Sequence, residues 1–218
     1  MSMPLHFLDS NERPTTEAGA VLFETSRLVI RRFLVTDAPS LAAALNHKEV
    51  VAQLSDRFRY PFTVSDAETA ISLSFPSEQD NQLTAPYPRS VAVCIKPNTV
   101  DNSSPEPRLI GSMVAHAGKD MAYRTWSLGY ALTPEVWGRG FAAEAVTGLR
   151  DWVFETWPRL ARLEASVFST NPASARVLFK AGFREEGLRR ACLEKNGVLL
   201  DARQFAILRG DCRVQLAN

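Results

Sequence analysis

The stretch WGRGFAAEAV, residues 137–146, sets Gly138 and Gly140 on either side of Arg139, where small, helix-favouring residues begin. Glycine inside a helix costs roughly 1 kcal/mol against alanine, so two of them at a helix mouth need a reason. The first turn of a helix carries N–H groups without internal partners, and the peptide dipoles add about half a positive charge there. Bare backbone at 138 and 140, followed by the small Ala142, lets an anion reach those amides, and phosphate is the usual guest. Each charge-assisted N–H bond contributes about 1.5–3 kcal/mol, so several together hold a diphosphate. The same glycines also fit a second reading, the close packing of a strand against the helix that follows it.

Two better-known phosphate loops compete with this one. A Walker A loop ends in Gly-Lys-Ser/Thr, which GRGFAA lacks. A dinucleotide fingerprint, G-x-G-x-x-G/A, is matched formally by Gly138, Gly140 and Ala143. That fingerprint belongs in the first turn of a parallel βαβ unit with an acidic residue about 20 positions on. Here the preceding strands read as an antiparallel meander, and the next strand, LEASVF, does not end in Asp or Glu.

The elements that must position this mouth are legible from periodicity. TWSLGYAL (125–132) alternates, with Trp126, Leu128, Tyr130 and Leu132 on one face and Ser127, Gly129 and Ala131 on the other. The small face leaves room for a thin ligand beside the strand. A helix is predicted over about 139–156, with Ala142, Val146, Leu149 and Val153 at helical spacing. RLEASVF (162–168) reads as a strand. NPASARVLFKAGF gives a helix after Asn171 that ends at Gly182, a suitable left-handed cap. Two final strands, about 185–194 and 198–208, are joined through Asn196-Gly197, which favours a tight hairpin.

In the first half, LVIRRF (28–33), SVAVCIK (90–96) and RLIGSMVAHA (108–117) read as strands, the last two joined by a proline-containing exposed connection. TDAPSLAAALNHKEVV predicts a helix with Thr36 as N-cap, and SDAETAISLSF another, with Ser65 and Glu68 in capping-box spacing. The expected fold is α+β with a largely antiparallel sheet. Residues 1–20 read as a mobile leader, 21–211 as one domain and 212–218 as a tail.

Composition narrows the partners. The 218 residues carry a formal net charge of +1, with 22% charged and 45% hydrophobic residues. That gives no broad footprint for nucleic acid or an anionic membrane. No run approaches the roughly 18 apolar residues of a membrane span, and the N-terminus has no secretory pattern. The 3 cysteines are odd in number and widely spaced, which argues against a disulfide framework or a zinc site. A cytoplasmic protein without a metal, monomeric or homodimeric, is expected.

LGYALTPEVWGRGFAAEAV followed by NPASARVLFKAGFREEG, with FETSRLVIRRFLVTDAPSLAAAL upstream, resembles the GNAT acyl-CoA N-acyltransferases, specifically their RimJ/RimL-like branch. The resemblance spans about 22–209. It implies a mostly antiparallel sheet splayed between its fourth and fifth strands, with acetyl-CoA held in the split and an amine as acceptor. Residue by residue, it implies that Trp137, Gly138, Arg139, Gly140, Phe141 and Ala142 form the diphosphate loop. Ala131 and Leu132 would pair through their backbone with the pantetheine amides. Asn171 would hydrogen-bond the cofactor, and Ser174 would lie near its sulfur and act as general acid. The chain departs from the family pattern at three places. Glu135 stands where many relatives have Gln or Arg, Leu178 where many have a tyrosine acid, and Ser127 near the place of a glutamate base.

The implied reaction needs a deprotonated amine, a stabilised oxyanion and a departing thiolate. A thiol of pKa about 8.5 leaves readily, so its protonation is not obligatory. General acid–base help is typically worth about 10²–10⁴, while alignment supplies effective molarities of roughly 10⁵–10⁸ M. Positioning dominates. Glu164, acting through water, and His116 are the candidate bases; both also fit surface or sheet-pairing roles. The departures keep a second reading open, a catalytically silent acyl-CoA-binding module.

Overall fold

Eight strands form one sheet: β1 (Val21–Glu24), β2 (Leu28–Arg31), β3 (Ser90–Ile95), β4 (Arg108–Ala117), β5 (Thr125–Leu132), β6 (Arg162–Phe168), β7 (Arg184–Lys195) and β8 (Val198–Leu208). The computed structural model describes residues 15–75, 89–99 and 102–215. Most of the expected leader, most of the 76–89 loop and the end of the tail lie outside the described residues. The strands lie in the spatial order β1-β2-β3-β4-β5-β6-β8-β7, and every neighbouring pair is antiparallel except β5–β6.

That exception makes the site. β5 and β6 pair only where Thr125, Trp126 and Ser127 meet Arg162, Leu163 and Glu164. Beyond Ser127 the two strands part, and β5 keeps only β4 as a neighbour through Leu132. The split falls between the strands expected to be fourth and fifth. They become β5 and β6 because Val21–Glu24, which the sequence reading did not anticipate, adds a short strand at the edge.

Helices cover both faces. α4 (Phe141–Thr156) and α5 (Pro172–Lys180) pack on one, where Phe141, Val146, Leu149, Val153 and Leu178 join Trp126, Leu128 and Leu132. α1 (Ala38–Leu45), α2 (Lys48–Val51) and α3 (Val64–Ser72) cover the other, over Val29, Ala92 and Cys94. Burying each large side chain in these layers contributes about 1.5–3 kcal/mol. Arg150 ties α4 to α5 by donating Nη1–H to the Ala181 carbonyl at 2.8 Å. α6 (Arg209–Gln215) overlaps the expected tail. Residues just before β1 run beside β2, with the Arg32 N–H donating to the Ala20 carbonyl at 2.9 Å.

Local expectations were displaced in three places. The first helical segment breaks into α1 and α2 because Asn46 leaves helical geometry and its Oδ1 accepts from the Phe62 N–H at 3.0 Å. Asp37, not Thr36, is the N-cap of α1; its carboxylate holds the Leu34 N–H and Arg31 instead of capping by side chain. α3 begins two residues earlier than the Ser65–Glu68 pair predicts. Thr63 and Asp66 form the reciprocal capping box, and Ser65 lies inside the helix. By contrast, Asn196 and Gly197 turn the β7–β8 hairpin at φ 51° and 78°, and Gly182 ends α5 at φ 87°, as read from sequence.

Candidate active site at the sheet split

β5 runs into a short 3-10 turn at Pro134–Val136 and then into the glycine mouth of α4. Gly138 and Gly140 adopt φ 74° and 84°, left-handed values that favour glycine. Gly140 is the N-cap of α4 and offers no side-chain cap, so the first-turn amides are left to an outside acceptor. A Cβ at 138 would meet nothing within 4 Å, whereas one at 140 would meet only Arg27 Nη2, at 3.5 Å. The glycines are therefore not required by strand-to-helix packing. Open space and uncapped amides suit a phosphate group.

Arg27, in the β1–β2 turn, braces this mouth from outside. Its Nη1 donates to the Arg139 carbonyl at 3.2 Å, and its guanidinium lies 4.0 Å over the Phe141 ring. Glu144, in the first turn of α4, accepts from Thr25 Oγ1, Ser26 Oγ, and the Arg27 N–H and Nε–H at 2.6–2.9 Å. Burial alone would raise the Glu144 carboxyl, but the hydrogen bonds from Thr25, Arg27 and Ser26 hold it below its ordinary value. Sequence reasoning missed this brace. Glu135, whose charge would oppose a phosphate, is paired instead with Arg108 at 3.2 Å.

Strand alternation decides which peptide groups face the split. The Arg124 carbonyl accepts from the Ala161 and Arg162 N–H groups at the β6 side, while the Thr133 N–H donates to Ile110 at the β4 side. Successive residues alternate, so Leu128, Tyr130 and Leu132 turn their peptide groups to the split, and Ala131 turns its own to β4. Ala131, expected to pair through its backbone with the coenzyme, therefore faces β4, and its neighbours Tyr130 and Leu132 face the split. The Leu132 carbonyl already accepts from Trp137 Nε1 at 2.9 Å. The bare face at Gly129 is not simply vacant either: a Cβ there would lie 3.1 Å from Val114 Cγ1.

Across the split, Asn171 caps α5 by accepting the Ser174 N–H on Oδ1 at 3.0 Å, which leaves its Nδ2 outside the cap. Ser174 Oγ lies 2.7 Å from Tyr130 Oη, and the same phenol donates to the Ser174 carbonyl at 3.2 Å. Burial pushes the Tyr130 phenol up to about 12, against a small opposing effect of the Ser174 hydrogen bond. Sequence periodicity assigned Tyr130 to the packed face, and it does pack there, but its hydroxyl reaches the start of α5. Leu178, one helical turn on, is wholly buried in the core and reaches no reacting group.

On the α1–α3 side of the sheet, His116, Ser127 and Glu164 stand side by side on β4, β5 and β6. Partial burial, then the charges of Arg57 and Arg89, hold the His116 pKa below 6.5. Its imidazole is neutral at pH 7 and able to accept a proton. Glu164 Oε2 is instead engaged by Arg162 Nε at 2.9 Å, and Arg162 reaches on to Glu186. A hollow of about 600 Å³ on this side is lined by Lys48, Asp56, Phe58, Arg59, Tyr60 and Lys195. Among the described residues, no group of three or more His, Cys, Asp or Glu is placed to hold a metal ion. No helix of the described residues is long and apolar enough to cross a membrane.

Comparison with known proteins agrees with this architecture. The family model for the acetyltransferase (GNAT) domain matches residues 27–184. The uncharacterized N-acetyltransferase YoaA of Bacillus subtilis is 29% identical over 188 residues, 86% of this chain and 97% of that protein. The probable N-acetyltransferase YjcK of the same organism is 39% identical over 106 residues, 49% of this chain and 58% of that protein. Among solved structures, the ribosomal-protein-S5-alanine acetyltransferase of Vibrio fischeri superposes with a TM-score of 0.67 at 22% identity, covering 87% of this chain and 97% of that one. Mycobacterium smegmatis RimJ in complex with CoA-disulfide gives a TM-score of 0.67 at 22% identity, covering 87% of this chain and 88% of that one. With the matched domain extending from the Arg27 brace past Ser174, the chain belongs to the GNAT acetyltransferase family.

Proposed function

We propose that the chain transfers the acetyl group of acetyl-CoA to a primary amine, by direct attack in a ternary complex. The observation that carries this reading is the open edge of β5 leading straight into uncapped amides at Gly138–Gly140. The residues fit acetyl-CoA: the α4 mouth for the diphosphate, the Tyr130 peptide group and the Leu132 N–H for the pantetheine, and Asn171 Nδ2 for a carbonyl. RimJ, whose complex holds CoA-disulfide, shares this fold, which supports the placement of the coenzyme in the split. Bound acetyl-CoA supplies an activated thioester.

This chain's residues then do three things. The glycine mouth and β5 edge fix the donor, which is the larger part of the rate. On the opposite side, His116 accepts the proton that the amine nitrogen loses as it bonds to the acetyl carbon; Glu164, already paired with Arg162, is the second candidate. At the split, Ser174 faces the sulfur that keeps the electron pair of the broken C–S bond. The acceptor enters from the α1–α3 side, where the hollow bounded by Asp56, Tyr60 and Lys195 opens. The relatives' names support an amine as acceptor, either a protein N-terminus or a small molecule. A place in the cytoplasm accords with this chemistry.

Replacing both glycines by valine tests the reading. A Cβ at either position meets no backbone or core atom in the free chain, and the left-handed backbone costs about 1–2 kcal/mol each. CoA affinity, measured by calorimetry on variants shown to be folded, is expected to fall by about 100-fold or more, the loss of two amide contacts. Unchanged affinity in a folded double variant overturns the assignment.

A further inference from the structure

Tyr130 and Ser174 are 44 residues apart in sequence and approach from opposite sides of the split. We propose that Tyr130 is a positioning residue for thiol departure: its phenol donates to Ser174 Oγ and so turns the serine's own proton toward the sulfur. The inference rests on the proposed seating of CoA in the split and adds a role that neither residue has from packing alone.

A serine hydroxyl has one proton and two acceptor lone pairs, and a phenol has one proton and can also accept. With a 2.7 Å contact to Oγ and a 3.2 Å contact to the Ser174 carbonyl, the pair has two arrangements. In one, the serine donates to the phenol and the phenol donates to the carbonyl, and every proton is spent within the pair. In the other, the phenol donates to Oγ across the shorter contact and the serine proton is released to a third group. An anionic sulfur in the split selects the second arrangement, because it needs a donor and the first offers none.

Two further features fit. Burial keeps the phenol protonated through the whole working range, so Tyr130 is a constant donor and not an acid that is consumed. The Asn171 cap fixes the Ser174 backbone, and the 2.7 Å contact with Tyr130 Oη fixes where its Oγ points. Ser174 also lies in the first turn of α5, where the helix dipole favours a negative charge. No proton need transfer: the C–S bond breaks, its electron pair stays on sulfur, and the serine O–H stabilises that thiolate by a hydrogen bond.

The test uses reduced CoA as probe, bound to the full chain, and follows the ultraviolet absorbance of its thiolate against pH. In the wild-type complex the thiol is expected to titrate below the usual value of about 8.5. Tyr130→Phe and Ser174→Ala should each raise that midpoint by about one pH unit, the effect of one charge-assisted hydrogen bond. The double variant should move it no further than either single one, and Ser174→Thr, which keeps the hydroxyl, should restore most of the shift. A midpoint unmoved by Tyr130→Phe, or by Ser174→Ala should the first variant not fold, overturns the inference while CoA binding keeps the functional reading intact. Failure of the wild-type chain to bind CoA overturns that reading and the inference with it.

Discussion

Arg27 donates both its backbone N–H and its Nε–H to the Glu144 carboxylate, at 2.8 and 2.7 Å, and so joins the β1–β2 turn to the first turn of α4. The same guanidinium holds the Arg139 carbonyl, between the two glycines. The glycine mouth of α4 is thus braced from behind by a side chain that no phosphate-loop pattern includes. Replacing Arg27 by Ala should weaken CoA binding by about fivefold, since solvent screening limits a pair whose arginine is 39% exposed to about 1 kcal/mol. Calorimetry with CoA at low and high salt checks this; equal affinities for variant and wild type at both would show that the loop keeps its shape unaided.

Acid should loosen the same brace. The Glu144 carboxyl lies below its ordinary value in the folded chain because Thr25, Arg27 and Ser26 bond to its ionised form against the cost of burial. A carboxylate depressed on folding adds stability above its unfolded pKa of about 4.3, and that stability is lost as pH falls through the folded value. Glu144→Gln, compared with wild type by urea unfolding from pH 7 down to pH 3, should show a gap of roughly 1–2 kcal/mol that is constant above about pH 5 and closes in acid. A gap independent of pH would mean that the carboxylate's charge contributes nothing.

Much of this frame is written locally. The Asn196-Gly197 turn, the alternation of Thr125–Leu132 and the left-handed cap at Gly182 need only neighbouring residues, and each was legible. What escaped is set by distant partners. Asn46 breaks the first helix because Phe62, 16 residues on, gives it a hydrogen bond. Tyr130 reads as an ordinary packed residue until α5 brings Ser174 to it. The β1 strand has only four residues and too little alternation to stand out. The glycine mouth was legible because its cost is local; its brace was not, because Arg27 and Glu144 lie 117 residues apart.

On the acceptor side, His116 should set the acid limb of the rate. Burial and the nearby charges of Arg57 and Arg89 lower its pKa, so the base form is lost only as pH falls below 6.5. With the amine that gives the greatest thiol release from acetyl-CoA, kcat/KM should drop in acid with an inflection under 6.5 in wild type. His116→Gln should remove that inflection and reduce the rate about 100-fold, within the usual range for a general base. Should Glu164→Gln do so instead, the glutamate is the base despite its pairing with Arg162.

The hairpin tip closes one wall of the hollow on the α1–α3 side. Lys195 is almost wholly buried, and its Nζ lies 3.1 Å from Asp56 in the loop after α2. The Asn196 N–H reaches the same carboxylate at 3.3 Å. Asp56→Ala frees the tip from the wall of the hollow, and KM for the amine should rise while KM for acetyl-CoA stays the same. A change confined to acetyl-CoA would place the hollow on the wrong side of the reaction.

Leu178 gives the opposite kind of test. The family resemblance implies a tyrosine acid at this place in many members, and here the side chain is 0% exposed among core side chains on α5. Leu178→Tyr therefore adds volume to a filled layer and sends a hydroxyl among apolar groups, at a cost of about 1–3 kcal/mol, or roughly 3–9 °C in Tm. It should bring no gain in kcat, because the phenol beside Ser174 comes from β5 and Leu178 points into the core. A gain in rate from Leu178→Tyr at unchanged Tm would mean that α5 has space facing the sulfur, and that Tyr130 is not the only phenol the site can use.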